Sequence, residues 1–282
     1  MGHQRENAEL LAMAVRAAAA GAAVIAEAAP RVRELDWHSK AAPTDFVSEV
    51  DVAAERAILG LLTAELPEAA VLAEESATSL PPERLQRGLA LVVDPLDGTT
   101  NFLHGFPAYA VSIAILRDGE PVAAVVHDVP RGEVFTATAG GGAFVGDSST
   151  AANGSAGRER LRVSTISQPE RALIGTGFPF KDADDIGPYH RQMASVMAEV
   201  AGVRRPGAAA LDLASVAAGR FDGFWEQMLS PWDFAAGMLL VREAGGIVTD
   251  LSGAHLRAFG RSSVLAGSAV MHRWLAEALA RA

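Results

Sequence analysis

One stretch constrains this chain more than any other: Leu89-Ala-Leu-Val-Val-Asp94-Pro-Leu-Asp97-Gly-Thr-Thr100-Asn-Phe102. An apolar run this short, bounded by Pro and Gly, reads as a fully buried strand rather than a helix. It runs directly into aspartates. Carboxylates at the end of a buried strand are costly unless something positive neutralises them. No Lys or Arg lies between Arg87 and Arg117, so the counter-charge is not local in sequence. A hard divalent cation meets the need, because Mg²⁺ prefers carboxylate oxygens and accepts a shell completed by water and phosphate. Gly98, Thr99 and Thr100 then offer backbone N–H groups and hydroxyls at a helix start, where anions bind. Metal-binding carboxylates beside an anion cradle point to phosphoryl chemistry. Taken alone, D-x-x-D-G also describes a solvated turn, so the other carboxylates decide.

Those carboxylates recur at comparable places. Residues 70–76, Ala-Val-Leu-Ala-Glu74-Glu75-Ser, form a second short apolar strand ending in acids. If the two strands are neighbours, Glu74, Asp94 and Asp97 converge, and like charges so gathered repel unless metal sits between them. Spacing alone does not choose between Glu74 and Glu75. Asp51 precedes a helical run over 52–66, and Asp233 starts another over 234–244. Capping of free N–H groups explains an Asp at either place; pointing into a site is the alternative. Glu226 closes a short strand, Gly223-Phe-Trp-Glu226, and reads as an exposed strand end or a site acid. His104 follows the central motif in a loop that could line the site, and His127 reads as a strand-end polar residue.

The rest of the chain divides in two. Residues 7–28 and 52–66 read as helices, separated by a polar segment, 31–44, in which Lys40 is either a solvated charge or part of a lid. Strand-like runs at 109–116, 121–128, 132–137 and 143–145, separated by turn signals, read as an antiparallel meander. Residues 148–157 are small and polar, a boundary or loop tip. Beyond them strand and helix alternate, which suggests an α/β layer. The expected organisation is 1–150 as a helix pair with a large antiparallel sheet, and 151–282 as an α/β layer, forming one continuous catalytic unit.

Composition removes several function classes. With no cysteine in 282 residues, disulfides, zinc–thiolate sites and thiol nucleophiles are excluded. A formal net charge of −10 argues against a broad nucleic-acid surface. The Ala-rich N-terminal segment is interrupted by Arg16 and Glu27 and shows no convincing signal-peptide or membrane-span pattern, so the expectation is a soluble, cytoplasmic protein.

Taken together, the motifs resemble the inositol monophosphatase family of Mg²⁺-dependent, lithium-sensitive phosphatases. Asp94-Pro-Leu-Asp97-Gly-Thr-Thr-Asn-Phe102 and Trp232-Asp-Phe-Ala-Ala-Gly237 are similar to its signatures. Ala73-Glu74-Glu75-Ser76 looks like its acidic pair, and residues 45–51 resemble the segment with its catalytic aspartate. Residues 176–180, 217–223 and 242–246 also look like family landmarks. The resemblance covers roughly residues 10–280. Ala208, where Ser or Thr often stands, and Ala73, in place of a frequent Gly, depart from the pattern without removing a metal ligand.

The resemblance implies an αβαβα sandwich of the inositol monophosphatase/fructose-1,6-bisphosphatase type, and two to three Mg²⁺ ions. Glu74, Asp94 and the Leu96 carbonyl would hold one ion. Asp94, Asp97 and Asp233 would hold a second, and a weaker third would lean on Glu74 through water. Thr99, bonded to Asp51, would position and deprotonate the attacking water. Gly98 and Thr99 N–H groups would hold phosphate. Gly207, Ala209, Glu226, Asp97 and Asp233 would contact substrate. The implied activity is hydrolysis of inositol-1-phosphate. The alternatives within the fold are histidinol-phosphate, fructose-1,6-bisphosphate or a 3′-phosphoadenosine nucleotide. A bisphosphate nucleotide needs basic groups, and Arg204-Arg205 reads instead as a strand-end charge pair. A regulatory role with a transcription protein partner is the alternative from another class. The resemblance also implies a homodimer.

Overall fold

The computed structural model, which describes residues 2–39, 46–76, 82–148, 159–179 and 186–282, stacks helices and sheets in alternating layers. Lys40, Asp45, Phe180 and residues 149–157 lie outside the described residues, and with them the lid and boundary expectations.

The layers follow from strands that are apolar on both faces. Leu89–Asp97 (β4), Ala110–Arg117 (β5) and Glu120–Asp128 (β6) are buried almost throughout. Successive strand residues point to opposite faces. Leu91, Val93, Ile113 and Ile115 therefore pack into a core with Gly2–Ala28 (α1) and Glu49–Glu65 (α2). Ala90, Val92, Ala114 and Leu116 pack into another with Ala209–Ala217 (α6) and Pro231–Glu243 (α7). Each such Leu, Ile or Val contributes about 1.5–3 kcal/mol when fully buried.

The first sheet has seven strands. Ala70–Ala73 (β3) lies parallel to β4 at one edge, the two joined through the short helix Pro82–Leu85 (α3). Glu133–Thr138 (β7), Gly142–Asp147 (β8) and Glu159–Arg160 (β9) extend the meander beyond β6. The second sheet has five strands. Leu173–Thr176 (β10) pairs parallel with Gly202–Arg204 (β11) and with Gly223–Leu229 (β12). Ser262–Gly267 (β14) runs antiparallel to β12 and to Ile247–Thr249 (β13). Phe224, Val264 and Ala266 face α6 and α7. Trp225 and Leu265 face outward, with Ile186–Met197 (α5) and Ala269–Ala280 (α8). The order is thus helix, sheet, helix, sheet, helix, the expected αβαβα sandwich.

Three local expectations are corrected. The polar 31–44 segment is not all irregular: Trp37–Ser39 (β1) pairs antiparallel with Phe46–Ser48 (β2). Helix α2 begins at Glu49, before the predicted start, because Ser48 is its N-cap. Strand β12 continues past Glu226 to Leu229 through a register shift, so Glu226 is not its end. In addition, α1 does have the length and apolarity of a membrane span, with 44% of its most apolar window buried. Its apolar residues, including Leu10, Ala14 and Ile25, pack into the α2–sheet core.

Candidate active site

Because β3 and β4 run parallel in register, their carboxyl ends deliver Glu74 and Asp94 to one edge. The Glu74 N–H donates to the Val93 carbonyl at 3.1 Å and continues that pairing. Of the acids left open by sequence, Glu74 lines the cavity, while the Glu75 N–H is held by the buried Glu55 carboxylate at 2.8 Å. Asp94 and Asp97 stand three residues apart, a spacing that sends side chains of a regular strand to opposite faces. Pairing with β5 steps from Asp94↔Ser112 to Asp97↔Ala110, so β4 carries an extra residue there. Pro95 has no N–H with which to maintain the ladder. The bulge turns both carboxylates toward the same cavity, of about 420 Å³.

Two more acids come from helix starts, and there they do double duty. Asp51 is the third residue of α2, and its Oδ2 accepts the Ser48 N–H at 2.8 Å and the Ser48 hydroxyl at 2.6 Å. Asp233 is the third residue of α7, and its Oδ2 accepts the Ser230 N–H at 2.7 Å. These are capping boxes, so the capping explanation holds for both. It does not exhaust either residue: Asp51 Oδ1 accepts the Thr99 hydroxyl at 2.8 Å, and Asp233 lines the cavity. The start of α6 uses the reverse arrangement. Its N-cap, Ala208, has no side-chain oxygen, and Asp97 Oδ2 accepts the Ala210 N–H at 2.8 Å instead.

Glu74, Asp94, Asp97 and Asp233 thus share one cavity. Burial pushes the Asp94 carboxyl well above the usual range, and repulsion from Glu74, Asp97 and Asp233 pushes it further. Burial likewise raises Asp97, with Asp233 adding to it and the Ala210 N–H opposing. Asp51 is raised by burial, against hydrogen bonds from Ser48 and Thr99 that pull it down. Among the described residues, no three acidic or histidine side chains stand as placed in a ready ligand cage. A positive charge placed among these carboxylates would relieve their mutual repulsion. The donor set is entirely oxygen and fits a hard divalent cation.

The remaining predicted residues surround these acids. Gly98 has φ +92°, and a Cβ there would meet the Ala108 carbonyl at 2.7 Å. It leads into Thr99–Leu103 (α4), and Gly98 and Thr99 line the cavity. The Thr99 hydroxyl also lies 3.0 Å from the Leu96 carbonyl; its one proton serves the nearer Asp51. Gly207, Ala209 and Glu226 form part of the facing wall.

Sequence reasoning missed other parts of that wall. Arg205 is no mere strand-end charge: it lines the cavity, with its guanidinium 4.8 Å from the Phe178 ring centroid. Its place between β11 and Gly207 was the available signal. Gly177 and Arg261 also line the cavity. His104 is exposed, its Nδ1 2.8 Å from the Thr100 carbonyl, and is not among the lining residues. His127 contacts the Ser148 hydroxyl at 3.1 Å, away from the cavity.

Comparison with known proteins agrees with the geometry. Residues 6–282 match the profile of the Inositol monophosphatase family. An inositol-1-monophosphatase of Rhizobium meliloti is 48% identical over 211 residues, covering 75% of this chain and 74% of the relative. The Nus factor SuhB of Pseudomonas aeruginosa is 46% identical over 250 residues, 87% of each chain. Among solved structures, the extragenic suppressor protein suhB of Bartonella henselae superposes with a TM-score of 0.86 at 41% identity, over 96% of this chain and 98% of the other.

Proposed function

Because this chain belongs to the inositol monophosphatase family, we propose that it is a Mg²⁺-dependent phosphate monoester hydrolase with inositol-1-phosphate as substrate. The observation that carries the reading is one cavity lined by Glu74, Asp94, Asp97, Asp233 and Glu226, with the Thr99–Asp51 pair beside them. Glu74, Asp94, Asp97, Asp233 and the Leu96 carbonyl would hold two to three Mg²⁺ ions. When bound, the metal neutralises phosphate charge and makes water more acidic.

The chain's own groups do the rest. Gly98 and Thr99 N–H groups hold the phosphate oxygens. The Thr99 hydroxyl donates to Asp51, so its lone pairs are left to accept a proton from the attacking water. Asp51 receives the relayed proton, and burial makes it the stronger base for that task. Glu74 orients the water. Attack is in line: the water oxygen bonds to phosphorus as the ester P–O bond breaks, and the leaving oxygen takes a proton from a second water to become the alcohol. Gly207, Ala209, Glu226, Asp97 and Asp233 orient the leaving polyol. Residues 1–150 and 151–282 act as halves of one catalytic unit.

The test is phosphate release from inositol-1-phosphate, histidinol-phosphate, fructose-1,6-bisphosphate and a 3′-phosphoadenosine nucleotide, with Mg²⁺ and with EDTA. Highest kcat/KM on inositol-1-phosphate, abolished by EDTA, is expected. Absence of Mg²⁺-dependent release from all four removes the reading. Lithium inhibition, homodimer formation and cytoplasmic location belong to the same proposal and are checked by titration, light scattering and fractionation.

A second reading is a role with a transcription protein partner, favoured by the name Nus factor carried by the Pseudomonas relative. An Asp94→Asn chain that loses hydrolysis yet supports a cellular phenotype would favour it.

A further inference from the structure

We propose that Asn101 is a positioning residue that locks the loop facing the leaving group onto the phosphate cradle, and so governs substrate discrimination rather than phosphate chemistry. The proposal rests on the functional reading above. The Asn101 Nδ2 lies 2.7 Å from the Ala108 carbonyl, 2.9 Å from the Pro206 carbonyl and 3.2 Å from the Gly207 carbonyl. All three neighbours are acceptors, so the orientation of the amide follows from its surroundings. Two protons from one side chain thereby tie α4 and the segment before β5 to a loop over a hundred residues away.

That loop has backbone geometry that needs holding. Gly207 has φ +90°, and a Cβ there would come within 3.3 Å of Asn101 Nδ2. The loop meets Asn101 with its backbone. At the other end of the clasp, the Ala108 carbonyl packs against Gly98 closely enough to exclude a Cβ. Gly98 belongs to the cradle and Gly207 and Ala209 to the facing wall, and Asn101 touches the supports of both. A shift of about 1 Å in the facing wall misplaces the groups that meet the leaving polyol, at up to about a hundredfold in kcat/KM for that substrate.

The test uses Asn101→Ala and the near-isosteric Asn101→Asp, which turns a carboxylate toward three carbonyls. Steady-state kinetics are measured with inositol-1-phosphate and with p-nitrophenyl phosphate, whose leaving group has no hydroxyls for the facing wall. Hydrogen exchange of the 207–211 amides is followed in parallel. The expected result is a KM for inositol-1-phosphate raised about tenfold or more, p-nitrophenyl phosphate hydrolysis within about threefold of the parent, and exchange at 207–211 faster by about tenfold, as for loss of a hydrogen bond. Equal loss on both substrates, with exchange accelerated throughout the chain, would make Asn101 a fold-stabilising residue and overturn the proposal. Unchanged KM and unchanged exchange would overturn it as well. If the parent hydrolyses neither ester, the functional reading fails. The exchange data then decide alone: acceleration confined to 207–211 sustains the lock, and none removes it.

Discussion

Replacing Gly177 by alanine isolates the role of Glu226 without touching it. A Cβ built at Gly177 falls inside the Glu226 carboxylate. Non-bonded carbons sit about 3.5 Å apart at their optimum, so the carboxylate must withdraw by about 1 Å or more. Gly177 does not adopt a positive φ, so alanine adds no backbone strain. The displaced group is the far end of a flexible, partly exposed side chain, so the cost to stability is small and Tm should stay within about 2 °C. A charge-assisted hydrogen bond to a substrate hydroxyl is worth about 1.5–3 kcal/mol, which corresponds to about a 10- to 150-fold loss of kcat/KM. The assay compares Gly177→Ala, Glu226→Gln and the double variant on inositol-1-phosphate. Each single variant should fall by that factor, and the double variant by little more, because both remove one contact. If Gly177→Ala keeps kcat/KM within about threefold while Glu226→Gln does not, the wall geometry argued from Gly177 is wrong. If neither loses activity, Glu226 does not meet the leaving group.

Other expectations follow from the buried acids and the cradle. Asp51→Asn should lower kcat by about 10²- to 10⁴-fold through loss of the proton acceptor, at a capping cost of about 1 kcal/mol; a Tm collapse with kcat preserved in the folded fraction would refute that division. The Asp94 carboxyl is raised by burial and by its acidic neighbours, so wild-type stability from this group is present below the unfolded value of about 3.9 and lost as pH rises through the folded one. In EDTA, Asp94→Asn should therefore melt above wild type at pH 8, with the gap narrowing toward pH 4; a gap that widens on acidification contradicts the assignment. Added Mg²⁺ should raise the Tm of wild type and leave that of the same variant unchanged. Gly98→Ala, strained at φ +92° and against the Ala108 carbonyl, should lose about 1–3 kcal/mol and weaken phosphate binding measured by calorimetry.

Much of the fold was legible because burial leaves a simple mark. Strands covered on both faces must be apolar throughout, and β4, β5 and β6 announce themselves that way. The pair β1 and β2 was missed for the opposite reason: Trp37–Ser39 is exposed along its length and owes its form to pairing with Phe46–Ser48, not to its own pattern. The exit of β12 was misjudged because Glu226-Gln227 interrupts the apolar run, while a register shift and a positive φ at Met228 carry the strand on to Leu229.

That distant carboxylates meet in one cavity was legible, but how the chain brings them there was not. Asp94 and Asp97 could be read as a pair, yet their spacing alone would send them to opposite faces; the bulge that reunites them depends on pairing with Ser112 and Ala110. No local pattern reveals that Asp97 caps a helix beginning at Ala209, since its partner, Ala210, is supplied by another layer. For Asp51 and Asp233, capping and function were competing explanations of one residue type at one position. The two explanations are compatible, because a carboxylate has two oxygens. At Asp51, Oδ2 is spent on Ser48 and Oδ1 reaches Thr99. The helix start that the cap secures is thereby the rigid mount for the side chain that the site needs, and a change that breaks one function disturbs the other.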